Sequence, residues 1–125
     1  MNFARLVFLV AGIYGIIGLL PQYFMEAKNG RDFPPPITHP EYYYGFLGVA
    51  LAWQVLFLIL SRDVVRYRAM MIPAVVEKIG FGLAVPLLYL QNRVAGAMLV
   101  FAAIDLLLAA LFAMAYWRTG GVADP

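Results

Sequence analysis

The chain contains no cysteine and a single histidine, His39. Without thiols there are no disulfides, thiolate metal sites, iron–sulfur clusters or covalent haem attachment. One histidine cannot supply both axial ligands of a haem within one chain. Charge is scarce as well: 13% of residues are charged, where soluble domains carry about 25%. A water-soluble helical bundle needs a polar face on every helix, and this sequence has too few polar residues to provide them. The interval Leu6–Leu20 has no charge and only Tyr14 as a side-chain hydrogen bonder. There is no internal repeat, no low-complexity tract, no phosphate loop and no nucleophile with its base. Nothing in the residues asks for a cofactor.

What remains is hydrophobic length. Apolar residues make up 64% of the chain and mean hydropathy is +0.82. Four segments, Phe3–Phe24, Tyr42–Ser61, Ala69–Leu90 and Val94–Trp117, each reach the ~20 residues that cross a hydrocarbon core of about 30 Å. These segments predict an all-α membrane protein, an antiparallel four-helix transmembrane bundle, as one integral membrane domain over residues 1–125. Arg5 ahead of an apolar run imitates a signal peptide, but no small-x-small cleavage site follows, so a retained helix is expected. With four spans, Arg5, Arg62, Arg66, Arg68 and Arg118 share one side; Lys28, Arg31 and Arg93 fall on the other, diluted by Glu26, Asp32 and Glu41. The positive-inside rule then places both termini in the cytoplasm, in a bacterial inner membrane. The net charge of +2 argues for contact with membrane lipids and not with nucleic acid.

The connections carry recognisable punctuation. Asn29-Gly30 is a turn signal, and Pro34-Pro35-Pro36 favours extended polyproline geometry. Thr38 and Glu41 have capping-box spacing, with Pro40 tolerated in the first turn. Tyr42, Tyr43 and Tyr44 form an aromatic belt, as do Tyr23, Tyr89, Tyr116 and Trp117 at other segment ends. Gln91-Asn92-Arg93 predicts a tight hairpin between the third and fourth helices. A loop metal site from His39, Glu41 and Asp32 is conceivable, but capping already accounts for Glu41, and no metal is expected. The basic connector holds Arg62, Arg66 and Arg68, which are expected at lipid headgroups, each contributing about 1 kcal/mol near an anionic surface. Pro86 leaves the Gly82 carbonyl without its helical donor, so the third helix can bend there.

Small residues recur where helices should approach closely. Gly12, Gly15 and Gly18 lie along the first helix; Ala95, Ala102 and Ala109 form a stripe on the fourth, with Gly96, Ala103 and Ala110 beside it. In lipid such stripes bring backbones together, within the bundle or across a homodimer or partner-subunit seam.

The most informative residues are the polar ones inside the spans: Gln54 in the second, Glu77 and Lys78 in the third, Asp105 in the fourth. At ~1.5 Å per residue all four fall roughly 16–20 Å from the extracytoplasmic end, as one layer near the midplane. A charge at a helix centre costs roughly 2.5–3.5 kcal/mol on insertion scales, so these side chains require partners or a water-filled cavity. Glu77 shares a helix face with Pro73, Ala74, Gly80 and Ala84, which suits the bundle interior, and Lys78 stands ~100° away. Lys78 is therefore expected to pair with Asp105, and Glu77 with Gln54 or Tyr14. The layer is either a network that fixes helix register or a proton or substrate site.

In size and layout the chain resembles small multidrug resistance transporters. That family carries its essential carboxylate on the first helix, and Phe3–Phe24 holds none. The layout is also similar to the DoxX-like family of small bacterial membrane proteins, at the level of topology. Three functional classes follow, in order of preference. The first is a non-catalytic bundle or accessory subunit. The second is a proton-linked transporter, acting as a dimer around the midplane carboxylates. The third is a membrane enzyme acting on a lipidic substrate.

Overall fold

A computed structural model describes residues 2–121. Where the sequence is apolar over long stretches, the backbone satisfies its own hydrogen bonds as helix, as a bilayer demands. Helix α1 spans Asn2–Leu19 and continues as a 3₁₀ turn over Leu20–Phe24. The change falls at Pro21, which cannot donate to the α-helical ladder. Helix α3 spans Pro40–Arg62, α4 spans Met71–Leu90 after a 3₁₀ turn at Arg68–Met70, and α5 spans Met98–Thr119. These four, with their 3₁₀ extensions, are long and apolar enough to cross a membrane. No strand occurs among the described residues.

Several connections depart from the sequence reading. Asn29-Gly30 does not turn: it lies inside a short helix, α2, over Glu26–Asp32. Glu26 in its first turn and Arg31 in its last complement the helix dipole, and Lys28 pairs with Asp32 four residues on. Gly30 is buried because the proline run packs over it; a Cβ there would stand 3.2 Å from Pro36 Cα. The Thr38–Glu41 box does not form either. His39 is the N-cap residue, with no side-chain cap and Pro40 as the first helical residue, and Glu41 Oε1 lies 2.9 Å from His39 Nδ1.

Helix α4 runs through Pro86 and ends in a Schellman motif. Asn92 takes a positive φ of 58°, the Arg93 amide donates to Leu88 O at 2.9 Å, and the Asn92 amide donates to Tyr89 O at 2.9 Å. Asparagine tolerates this left-handed geometry better than most residues. The chain then makes irregular turns until Met98, so α5 starts four residues later than the apolar run suggests. The link is longer than a tight three-residue hairpin.

Packing is pairwise: α1 lies along α3, α4 lies along α5, and a lighter α1–α5 contact joins the pairs. The small residues make the two main seams. A Cβ on Gly12 would come within 2.7 Å of Leu58, and one on Gly15 within 1.9 Å of Gln54 Oε1. On the other side, a Cβ on Gly82 would come within 2.7 Å of Leu106 and 3.4 Å of the Ala102 carbonyl. Of the expected small-residue stripe, Ala102 and Ala109 are buried within the chain, whereas Ala95 and Gly96 lie before α5 and, like Ala103 and Ala110, are exposed. At the arginine-rich end the core is aromatic. Phe8, Phe57 and Phe112, each fully buried, bring α1, α3 and α5 together. Phe8 and Phe112 stack at 4.3 Å between ring centroids, and Phe57 meets Phe112 edge-on at 5.0 Å. Around them pack Ala4, Leu60, Val64, Met71 and Ala115. A smaller cluster of Leu19, Leu47 and Ala50, with Tyr23 and Tyr43, closes the far end of the α1–α3 pair.

Candidate functional site, a buried ammonium between two carboxylates

The inner face of α4 is set by Met71, Ala74, Lys78, Gly82 and Val85, its buried residues at helical spacing. Lys78 therefore occupies the interior stripe, and Glu77 stands on its flank. This reverses the expected assignment, in which Glu77 took the interior. The difference lies in which small residues meet α5. Gly82 is pressed against Leu106, whereas Gly80 has nothing within 4 Å and Ala84 is exposed.

Lys78 is 6% exposed. Its Nζ lies 3.6 Å from Glu77 Oε2 and 3.8 Å from Asp105 Oδ1, and 5.4 Å from the centroid of the Phe57 ring. The contacts come from α4, α5 and α3, so one ammonium is held by three helices. The pairing with Asp105 follows the sequence expectation. The proposed partners of Glu77 do not: it shares Lys78 with Asp105 instead of bonding Gln54 or Tyr14. The four-carbon stem of lysine explains this, since it lets the ammonium swing between positions that a simple helical wheel keeps apart. The ring of Phe57 supplies a further favourable face for the cation.

Gln54 is also buried, at 2% exposure, but its amide turns towards α1. Its Nε2 donates to the Ala50 carbonyl one turn back at 2.9 Å, and its Oε1 lies over Gly15. Three of the four expected residues thus come together around Nζ, and Gln54 forms a neighbouring station one turn from Phe57. Two buried acceptors, Gln54 Oε1 and Glu77 Oε2, have no hydrogen-bond donor among the described residues. One ammonium facing two carboxylates leaves one formal negative charge in excess. Between packed helices the surplus calls for a proton, a cation or water.

The basic end divides into two kinds of arginine. Arg68, expected at headgroups, is engaged by the protein. Its Nε donates to the Tyr116 carbonyl at 2.9 Å and to Thr119 Oγ1 at 3.2 Å, and its guanidinium stacks 3.7 Å from the Tyr116 ring centroid. It satisfies a carbonyl in the last turn of α5. The sequence offered no signal for this, because the contact spans the whole α4–α5 hairpin. Arg66 is exposed and stays near its neighbour Tyr67, 5.5 Å from the ring. Arg62 is exposed, with no side-chain bond among the described residues. At the opposite end His39 stacks on Tyr42, Asp32 is taken by Lys28, and no group of three metal-ligating side chains assembles among the described residues.

No protein-family model matches this chain, and neither a curated protein nor a solved structure resembles it closely enough to count as a match.

Proposed function

We propose that this chain is a non-catalytic integral membrane protein of the bacterial cytoplasmic membrane, an antiparallel four-helix bundle that serves as a scaffold or accessory subunit. The observation that carries this reading is the Lys78 ammonium, 6% exposed and touched from three helices. Burying a charge is expensive, and the return is a defined register between elements that lipid alone would not align. Ties at the bundle ends favour the same role. Arg5 Nε donates to the Ser61 carbonyl at 3.3 Å. Tyr43 donates to the Gln22 carbonyl at 2.6 Å and accepts from Asn29 at 3.0 Å. The first joins the start of α1 to the end of α3, and the second joins the far end of α1 to the start of α3. Both favour antiparallel packing.

The test is a double-mutant cycle on unfolding in detergent. Lys78→Met leaves buried carboxylates without their cation and should cost about 3 kcal/mol or more. Adding Asp105→Leu should recover part of that loss. A double variant as unstable as the sum of the singles would show that the pair does not set register.

A second reading is favoured by the excess carboxylate and by Glu77 Oε2, which has the shared Lys78 ammonium at 3.6 Å and no hydrogen-bond donor among the described residues: proton-linked transport by a dimer around the midplane. It requires Glu77 to exchange a proton. Infrared difference spectra of the parent between acid and neutral pH should then contain a carboxyl band that Glu77→Gln removes. Identical spectra for the two proteins would reject this reading.

A further inference from the structure

We infer that the groove between α1 and α3 at the arginine-rich end is a binding site for one anionic glycerophospholipid. The groove is open, with a volume of about 570 Å³, and is lined by Asn2, Arg5, Leu6, Leu9, Ile13, Leu58, Ser61 and Arg62. Its two ends differ in chemistry. Arg5, Arg62, Asn2 and Ser61 belong to the first turns of α1 and the last turn of α3, the depth of headgroups if the helices span. Leu6, Leu9, Ile13 and Leu58 continue the groove along the apolar part of both helices. A phosphodiester at the first end and an acyl chain along the second match that order.

The charges are placed for a ligand and not for one another. Arg5 is oriented by its Nε bond to the Ser61 carbonyl, which leaves its two terminal nitrogens as donors. Arg62 makes no side-chain hydrogen bond or ion pair among the described residues. Asp63, its acidic neighbour in sequence, accepts from the Arg66 backbone amide at 3.1 Å and so has a local partner. Of the other arginines of this end, Arg68 stacks on Tyr116 and Arg118 on Phe3 at 4.4 Å, while Arg66 is exposed beside Tyr67 and does not line the groove. Two guanidinium groups therefore flank the groove, where one phosphate can take both. This reassigns the headgroup contacts from the whole basic connector to Arg62 together with Arg5, a residue on another helix.

The test uses the full chain in nonionic detergent, with retained lipid counted by native mass spectrometry. Titration with phosphatidylglycerol should saturate at one retained molecule per protomer, and phosphatidylcholine should be retained far less. Arg62→Gln, which removes no internal bond, should weaken phosphatidylglycerol retention by roughly fivefold, the worth of one charge near a headgroup. Arg5→Gln should do the same, and Arg66→Gln should leave retention unchanged. Equal retention of the two lipids would overturn the inference. So would an unchanged Arg62→Gln variant, equal loss in Arg66→Gln, or displacement of the lipid by millimolar inorganic phosphate, which would mark a free-anion site.

Discussion

At the scale of single residues, the same residue type does opposite work depending on what its backbone position brings near. Arg66 and Arg68 stand two positions apart in one connector, and sequence alone treats them alike. Arg68 bonds the Tyr116 carbonyl and Thr119 and stacks on an aromatic ring, while Arg66 stays exposed. Charge-assisted hydrogen bonds contribute about 1.5–3 kcal/mol each. Arg68→Gln should therefore lower stability by about 2 kcal/mol, and Arg66→Gln by less than about 0.5 kcal/mol. Chemical unfolding followed by circular dichroism in detergent checks both. An equal effect of the two would mean that Arg68 does not hold the end of α5. Lysine at position 68 should rescue little, because an ammonium cannot reproduce the planar stack on Tyr116.

At the scale of elements, glycine placement decides which helix faces meet. Gly15 lies under the Gln54 amide, with a built Cβ only 1.9 Å from Oε1, whereas Gly18 has nothing within 4 Å. Gly15→Ala should destabilise by about 1–3 kcal/mol through overpacking, and Gly18→Ala should be neutral or slightly stabilising. The three atoms nearest to that Cβ all belong to the Gln54 side chain, so Gly15→Ala with Gln54→Ala should recover stability. Thermal unfolding of the four proteins decides it, and a lack of rescue would place the α1–α3 seam elsewhere. This level also marks how far the sequence could be read. The four long apolar runs, and the close approach of Gly12 and Gly15 to a neighbour, were legible, because bilayer thickness and backbone sterics act on local sequence. The choice of Lys78 over Glu77 for the inner face of α4 was not. It depends on Leu106 of α5 filling the space over Gly82, a contact that no pattern within α4 encodes. Helix α2 was hidden for a related reason. Gly30 reads as a turn until Pro36 is seen packed against it, and seven residues are too few for a helical period to show.

At the scale of the whole molecule, polar ties hold both ends and the middle of the bundle. If the chain runs antiparallel with both termini in the cytoplasm, as proposed, the 3₁₀ turn at Arg68–Met70 and the arginines around it lie inside. The segments around α2 and after α4 then lie outside. The absence of native cysteine makes this directly testable, provided the reporter sites are accessible. Val64 lies in the same connector but is 2% exposed, so a cysteine there would stay unlabelled on either side of the membrane. Ala69, Ala27 and Ala95 are all exposed, and replacing them removes no hydrogen-bonding side chain. In intact cells, Ala27→Cys and Ala95→Cys should react with a membrane-impermeant maleimide, and Ala69→Cys should react only after the membrane is opened. The arginine bias sets this direction, since lysine and arginine in short loops are retained on the cytoplasmic side. Labelling of Ala69→Cys from outside, with the other two protected, would invert the bundle and place the Arg5–Arg62 groove in the outer leaflet. Labelling of Ala27→Cys and Ala95→Cys on opposite sides would break the four-span topology.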